Sequence, residues 1–82
     1  MEEYIGIIKM FTGTFCPKNY AYCNGQLLNI IGNEALYSII GTQYGGDGAR
    51  CFALPNLNKN DIMANTQPKY IICVNGIYPP RD

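Results

Sequence analysis

Histidine and tryptophan are both missing from the 82 residues. Without histidine the chain lacks the usual general base and the commonest metal ligand. A surplus of either charge is missing too: six Lys and Arg balance six Asp and Glu, and only 15% of residues are charged. No field gathers nucleic acid or an anionic membrane surface. The longest apolar run, Ile71 to Val74, falls far short of the ~20 residues a spanning helix needs, so no membrane insertion is expected. Met1-Glu2-Glu3 is acidic where a signal peptide is basic, which predicts no classical secretion. No C-x-x-C knuckle occurs either. Cys16, Cys23, Cys51 and Cys73 have six, 27 and 21 residues between neighbours, which gives little support to a structural zinc site.

What is present is apolar: 48% of residues are hydrophobic, too many for a disordered tail. The length fits one domain, 1–82, with no internal repeat and no linker. Burying roughly 8,000 Å² on folding, a little over half of it apolar, contributes on the order of 110–120 kcal/mol. Ordering about 80 residues opposes this with about 120 kcal/mol. So close a balance predicts reliance on cross-links, a metal or a partner subunit. For the cysteines the plain reading is thiols packed as small hydrophobes. Two disulfides, in any of three pairings, or a bound metal stay open beside it.

Tyr4 to Phe11 is rich in β-branched and aromatic residues and reads as a strand. Its apolar parity shifts between Ile7 and Ile8, which signals burial on both faces or a bulge. Thr12-Gly13-Thr14 and Pro17-Lys18-Asn19 supply turns. Tyr20 to Cys23 and Gln26 to Ile30 flank Asn24-Gly25, the signature of a two-residue type I′ hairpin. Its register sets Cys23 opposite Gln26, Tyr22 opposite Leu27 and Ala21 opposite Leu28. Asn33 suits a helix N-cap and Glu34 the first turn. Leu36, Ile39 and Ile40 follow at helical spacing, and Gly41 stands where a left-handed C′ residue belongs. This predicts a helix from Asn33 to Ile40, too short to persist unless it docks on a sheet. Cys51 to Leu54 makes a short strand that Pro55 stops. Asn56 to Gln67 is polar, anchored by Leu57, Ile62, Met63 and Ala64. Tyr70 to Val74 reads as a strand buried on both faces, followed by an Asn75-Gly76 turn.

Few of these residues can do chemistry. Gly45, Gly46 and Gly48 follow a helix C-terminus, whose dipole repels anions, and no Lys-Ser/Thr succeeds them, so they are no phosphate cradle. Asp47 has no alternating carboxylates for calcium. Ser38 has no obvious base beside it, and nothing in the spacing joins Glu34 to Asp61 as a carboxylate pair. No catalytic, cofactor or metal residue is assigned. Seven tyrosines remain. Each alone is ordinary packing; as a set they favour an interface.

The ordered blocks Phe11, Pro17, Tyr20, Cys23 to Leu28, Glu34 to Thr42, Tyr44 to Gly48 and Phe52 to Leu57 resemble the bacteriophage tail collar domain. The similarity is greatest to the branch that includes the so-called microcystin-dependent proteins of bacteria. Asn65 to Pro68, Tyr70 to Ile72 and Gly76 to Pro79 are similar to how longer members of that branch close. The family usually has tryptophan where Tyr20 stands and Asp-Leu-Arg-Gly-Arg at positions 56–60, and a long segment that normally follows is shortened here to Asp61 to Ala64. Histidines that hold metal in some collar-containing fibres have no counterpart.

The expected fold is α+β: a small, mostly antiparallel sheet with the Asn24-Gly25 hairpin and one short helix. The resemblance implies a non-enzymatic virion part, made in a bacterial host's cytoplasm, self-associating with a trimer favoured, and docking on tail, collar or fibre proteins. A host surface receptor is a further expected partner. Asn24, Gly25, Gly41, Gly45, Gly46, Gly48 and Pro55 carry structure, while Tyr37, Tyr44 and Asp47 are the candidate interaction surface. A receptor- or glycan-binding tip and a secreted, disulfide-stapled miniprotein are the alternatives.

Overall fold

The structure, a computed structural model, describes residues 3–58 and 69–80. Expectations for Asp61, Ile62, Met63, Ala64 and Asn65 to Pro68 therefore lie outside the described residues. Among the described residues five strands and one helix run in the order β1 (Ile8–Phe11), β2 (Tyr20–Tyr22), β3 (Leu27–Asn29), α1 (Glu34–Ile40), β4 (Cys51–Ala53) and β5 (Lys69–Cys73). They form two antiparallel sheets, β1-β5-β2 and β3-β4. The small α+β class read from the sequence is the one observed.

The most apolar strand takes the central place. β5 pairs on one side with β1, Ile8 opposite Ile72, and on the other with β2, Ala21 opposite Ile72. Ile71, Ile72 and Cys73 are all buried, as a continuous apolar run demands. Ile72 faces the main core with Cys23, Leu36, Ile40, Phe52, Leu54 and Ile5. Ile71 points the other way, with Lys9 and Tyr22 as its cross-strand partners. The Lys9 ammonium lies 5.7 Å from the Tyr20 ring and that of Lys69 6.0 Å from the Tyr22 ring. Rings and aliphatic stems thus shield Ile71 while the charges stay wet.

The first strand is shorter than expected. Gly6, at φ 94, lies in a turn between the Tyr4 bridge and β1. Before it, Ile5 N–H donates to Ile77 O at 2.8 Å and Tyr4 forms a parallel bridge to Ile77. The parity shift at Ile7-Ile8 marks this break and not a bulge within one strand.

Asn24-Gly25 does not close a hairpin. β2 pairs with β5 and β3 with β4, so the expected Tyr22–Leu27 and Ala21–Leu28 pairs are absent. A type I′ turn needs positive φ at both central residues; Gly25 has it at 79°, whereas Asn19 is the one non-glycine with positive φ among the described residues. Asn24 uses its side chain instead, accepting from Gln26 N–H at 3.3 Å. The chain crosses between sheets at Cys23. Its N–H donates to Tyr70 O at 3.0 Å, and its carbonyl accepts from Leu57 N–H at 2.8 Å and Asn58 N–H at 3.0 Å. From there the β3–β4 register runs outward through Gly25 N–H to Pro55 O and an Asn24–Asn56 bridge.

The helix forms close to expectation, with a different start and stop. Asn33 makes no side-chain cap; its Nδ2 donates to Asn29 O at 2.9 Å and ties the helix to the end of β3. Gly41 has positive φ but ψ −143, so it is not the left-handed C′ residue expected. Leu36 and Ile40 are the helix's buried side chains, and the Tyr37 ring tilts against Phe52 at 5.3 Å. Seven residues persist as a helix because this face is docked.

Candidate interaction surface

The glycine-rich loop is built as a cover for a sheet edge. β4 turns one edge to β3; on its other edge Ala53 N–H donates to Gly45 O at 3.1 Å and Gly48 N–H to Cys51 O at 3.1 Å. An uncovered edge would be a template for pairing with other chains. The approach is so close that a Cβ on Gly46 would lie 2.4 Å from Phe52 Cα and 2.7 Å from Cys51 O. Gly46 also has φ 97, which a side-chain-bearing residue adopts only under strain.

Asp47 organises the same loop from within. Its Oδ1 accepts from Ala49 N–H at 2.8 Å, Arg50 N–H at 2.8 Å and Cys51 N–H at 3.1 Å. These donors, Arg50 first, hold its carboxyl down to about 2, since hydrogen bonds to the charged form favour it. Tyr37 sits beside the loop, half-buried, with its hydroxyl donating to Gly48 O at 3.4 Å. Tyr44 is 48% exposed. The Tyr37 hydroxyl and the Oδ1 of Asp47 thus bond within the loop, while Asp47 itself is exposed and the Tyr44 ring stands in solvent. Gly41 ends α1, and Pro55 is buried where β4 ends.

The groups weighed for chemistry are also engaged. Ser38 Oγ donates to Ala35 O at 2.7 Å and lies 2.5 Å from the Tyr78 hydroxyl. All four cysteines are free thiols, Cys23 and Cys73 buried, Cys16 and Cys51 half-buried. Burial is the main cause that pushes the Cys23 thiol up to about 11. Among the described residues no group of three or more His, Cys, Asp or Glu is placed to hold a metal. No helix there is long and apolar enough to cross a membrane.

What the sequence reading did not single out is the exposed apolar surface. Met10 on β1 is 56% exposed, Phe15 beyond it 70%, Leu27 on β3 60%, and Ile31 in the next turn 86%. Leu28 and Ile30, the alternate positions, pack on the core. Leu27 falls on the outer face of its sheet, opposite Ala53 and not Tyr22. Exposed apolar side chains scattered singly are ordinary; these stand in two pairs, Met10 and Phe15 on and just beyond β1, Leu27 and Ile31 on and just beyond β3.

A sequence model of the phage tail collar domain matches residues 6–62. The chain belongs to the phage tail collar domain family. The matched span runs from the end of the N-terminal bridge through both strands of the β3–β4 ladder and the glycine loop. This makes the chain a phage tail structural module, of a structural and not an enzymatic family, and a virion component. No curated protein matches the chain significantly.

Proposed function

We propose that this collar domain is a non-enzymatic assembly part that associates with further copies of itself, as a trimer, and docks on neighbouring tail proteins. The carrying observation is the outward display of Leu27 and Ile31, with Met10 and Phe15, on a fold whose glycine loop is held by Asp47 Oδ1. Covering such side chains in an interface recovers roughly 25 cal/mol per Å² of apolar surface. The narrow margin expected of an 82-residue domain makes that gain consequential. Host attachment would then be indirect, through the structure the domain helps to build. Chemical cross-linking and mass spectrometry on particles carrying the chain test this. Links from Lys9, Lys18 or Lys69 to a second copy and to tail proteins are expected; a chain that links to neither contradicts it.

A further inference from the structure

The outer strands β1, β2, β3 and β4 each have one edge turned away from their sheet, and the fold covers those of β2 and β4. At β4 the glycine loop does so, through Gly45 O and Gly48 N–H. At β2 the Tyr20 N–H donates to Pro17 O at 3.2 Å, and Tyr22 O accepts from Gln26 Nε2 at 3.2 Å. β1 and β3 have no such cover among the described residues. Cys73 N–H donates to Ile7 O at 2.9 Å. Bonding alternates along an antiparallel pair, so Lys9 and Phe11 bond β5 while Ile8 and Met10 turn their N–H and C=O outward. On β3, Leu54 N–H donates to Gln26 O at 3.0 Å and Ile30 N–H to Arg50 O at 2.9 Å. By the same alternation Leu27 and Asn29 face outward. Of these outward groups the Asn29 carbonyl alone has a partner among the described residues, Nδ2 of Asn33 at 2.9 Å. Ile8, Met10, Leu27 and Asn29 are all exposed.

An open, apolar strand edge is a template for another strand, and the two open edges of this chain fit one another. We infer that β1 of one copy adds to β3 of the next, antiparallel, with Ile8 opposite Asn29 and Met10 opposite Leu27. Each outward N–H then meets a carbonyl. The Asn29 carbonyl keeps a second lone pair for Ile8 N–H beside its bond to Asn33. The exposed Met10 and Leu27 side chains become cross-strand neighbours. Like edges fit less well. β1 on β1, with Ile8 opposite Met10, sets Lys9 against Lys9, and like charges directly opposite destabilise a ladder. β3 on β3 stops at a pair and leaves β1 bare. Unlike edges join head to tail, and such contacts close into rings. A trimer needs a contact of that kind, since an isologous one gives a dimer. The inference rests on the assembly reading and deepens it by naming the strands that join.

The test is amide hydrogen exchange on the full chain, below and above the concentration at which sedimentation detects association. Exchange at the N–H groups of Ile8, Met10, Leu27 and Asn29 is expected to slow by about tenfold or more on association. Two variants give a second reading. Ile8→Pro and Asn29→Pro each remove one outward N–H and keep Met10, Phe15, Leu27 and Ile31. Proline is tolerated on an edge where the N–H it replaces faces solvent. Each variant alone is expected to be monomeric. Their equimolar mixture is expected to form a pair that grows no further, because each chain keeps one sound edge. A native chain that never associates removes the assembly reading and this inference together. Association without slowing at those amides overturns the inference alone, and so does a folded variant that still forms trimers. Dimers of the Ile8→Pro chain by itself would show β3 pairing with β3 and overturn it too. If either variant fails to fold, exchange in the native chain decides.

Discussion

The Asn58 side chain imitates a strand for Tyr70. Its Nδ2 donates to Tyr70 O at 3.1 Å while its Oδ1 accepts from Tyr70 N–H at 2.9 Å. One carboxamide thus supplies both bonds that a neighbouring peptide would, at the point where the β4 ladder ends and β5 begins. Asn58→Ala should cost about 1 kcal/mol, the net value of a partly exposed hydrogen-bonded pair. Asn58→Asp, which keeps the acceptor and loses the donor, should fall between. Urea unfolding measures both.

The same clamp closes the domain across residues 59–68. Exchanging those ten positions for a Gly-Ser linker of equal length should leave the amide spectrum of residues 3–58 and 69–80 in place, because the cost of closing a connection is set chiefly by its length. Collapse of that spectrum would show that the clamp does not suffice.

Gly46 and Gly32 separate two costs of a side chain. Both have positive φ, 97 and 92, but nothing lies within 4 Å of a Cβ on Gly32, whereas one on Gly46 meets backbone at 2.4 Å. Gly32→Ala should cost about 1 kcal/mol of conformational strain. Gly46→Ala should cost several times more, or prevent folding, since β4 and the loop must separate. Thermal unfolding of the pair checks the ordering.

Asp47 gives the fold an acid sensitivity of known sign. Its carboxyl is depressed from 3.8 to about 2 in the folded state, so its contribution is present above the unfolded value and is lost as pH falls through the folded one. The stability gap between the native chain and Asp47→Ala should therefore be constant near neutrality and shrink as pH falls from about 4 to 2. Melting curves across that range show it; a gap that widens toward acid would contradict the role.

Thiol chemistry should divide the cysteines. Cys16 and Cys51 are half-buried, whereas Cys23 and Cys73 are enclosed and their thiols are pushed up mainly by burial. With Ellman's reagent near pH 8, Cys16 and Cys51 should react first, and Cys23 and Cys73 at the rate of unfolding. Peptide mapping of the labelled protein assigns them, and an intact mass four hydrogens light would instead reveal two disulfides.

Much of this fold was legible locally. The α1 spacing of Leu36, Ile39 and Ile40, the apolar run of β5 and the stop at Pro55 each carry their own signal. Strand partners do not. Asn24-Gly25 has the composition of a hairpin turn, yet Tyr20 to Cys23 finds better burial against Ile71 and Ile72, some fifty residues onward. Gln26 to Ile30 then pairs with the segment around Phe52. That choice is made by the whole core, so the two-residue signal was outvoted. The local role of Asp47 was harder still, because composition cannot show which main-chain N–H groups a carboxylate meets. Leu27 was given the wrong partner, Tyr22, where the fold sets it opposite Ala53.

Sedimentation equilibrium on the full chain, beside a Leu27→Lys, Ile31→Lys variant, is the most direct trial of the claim that this collar domain works by assembly. The account predicts a concentration-dependent trimer for the native chain and an equally stable monomer for the variant, since both side chains are already exposed. A native chain that remains monomeric at every concentration would contradict it.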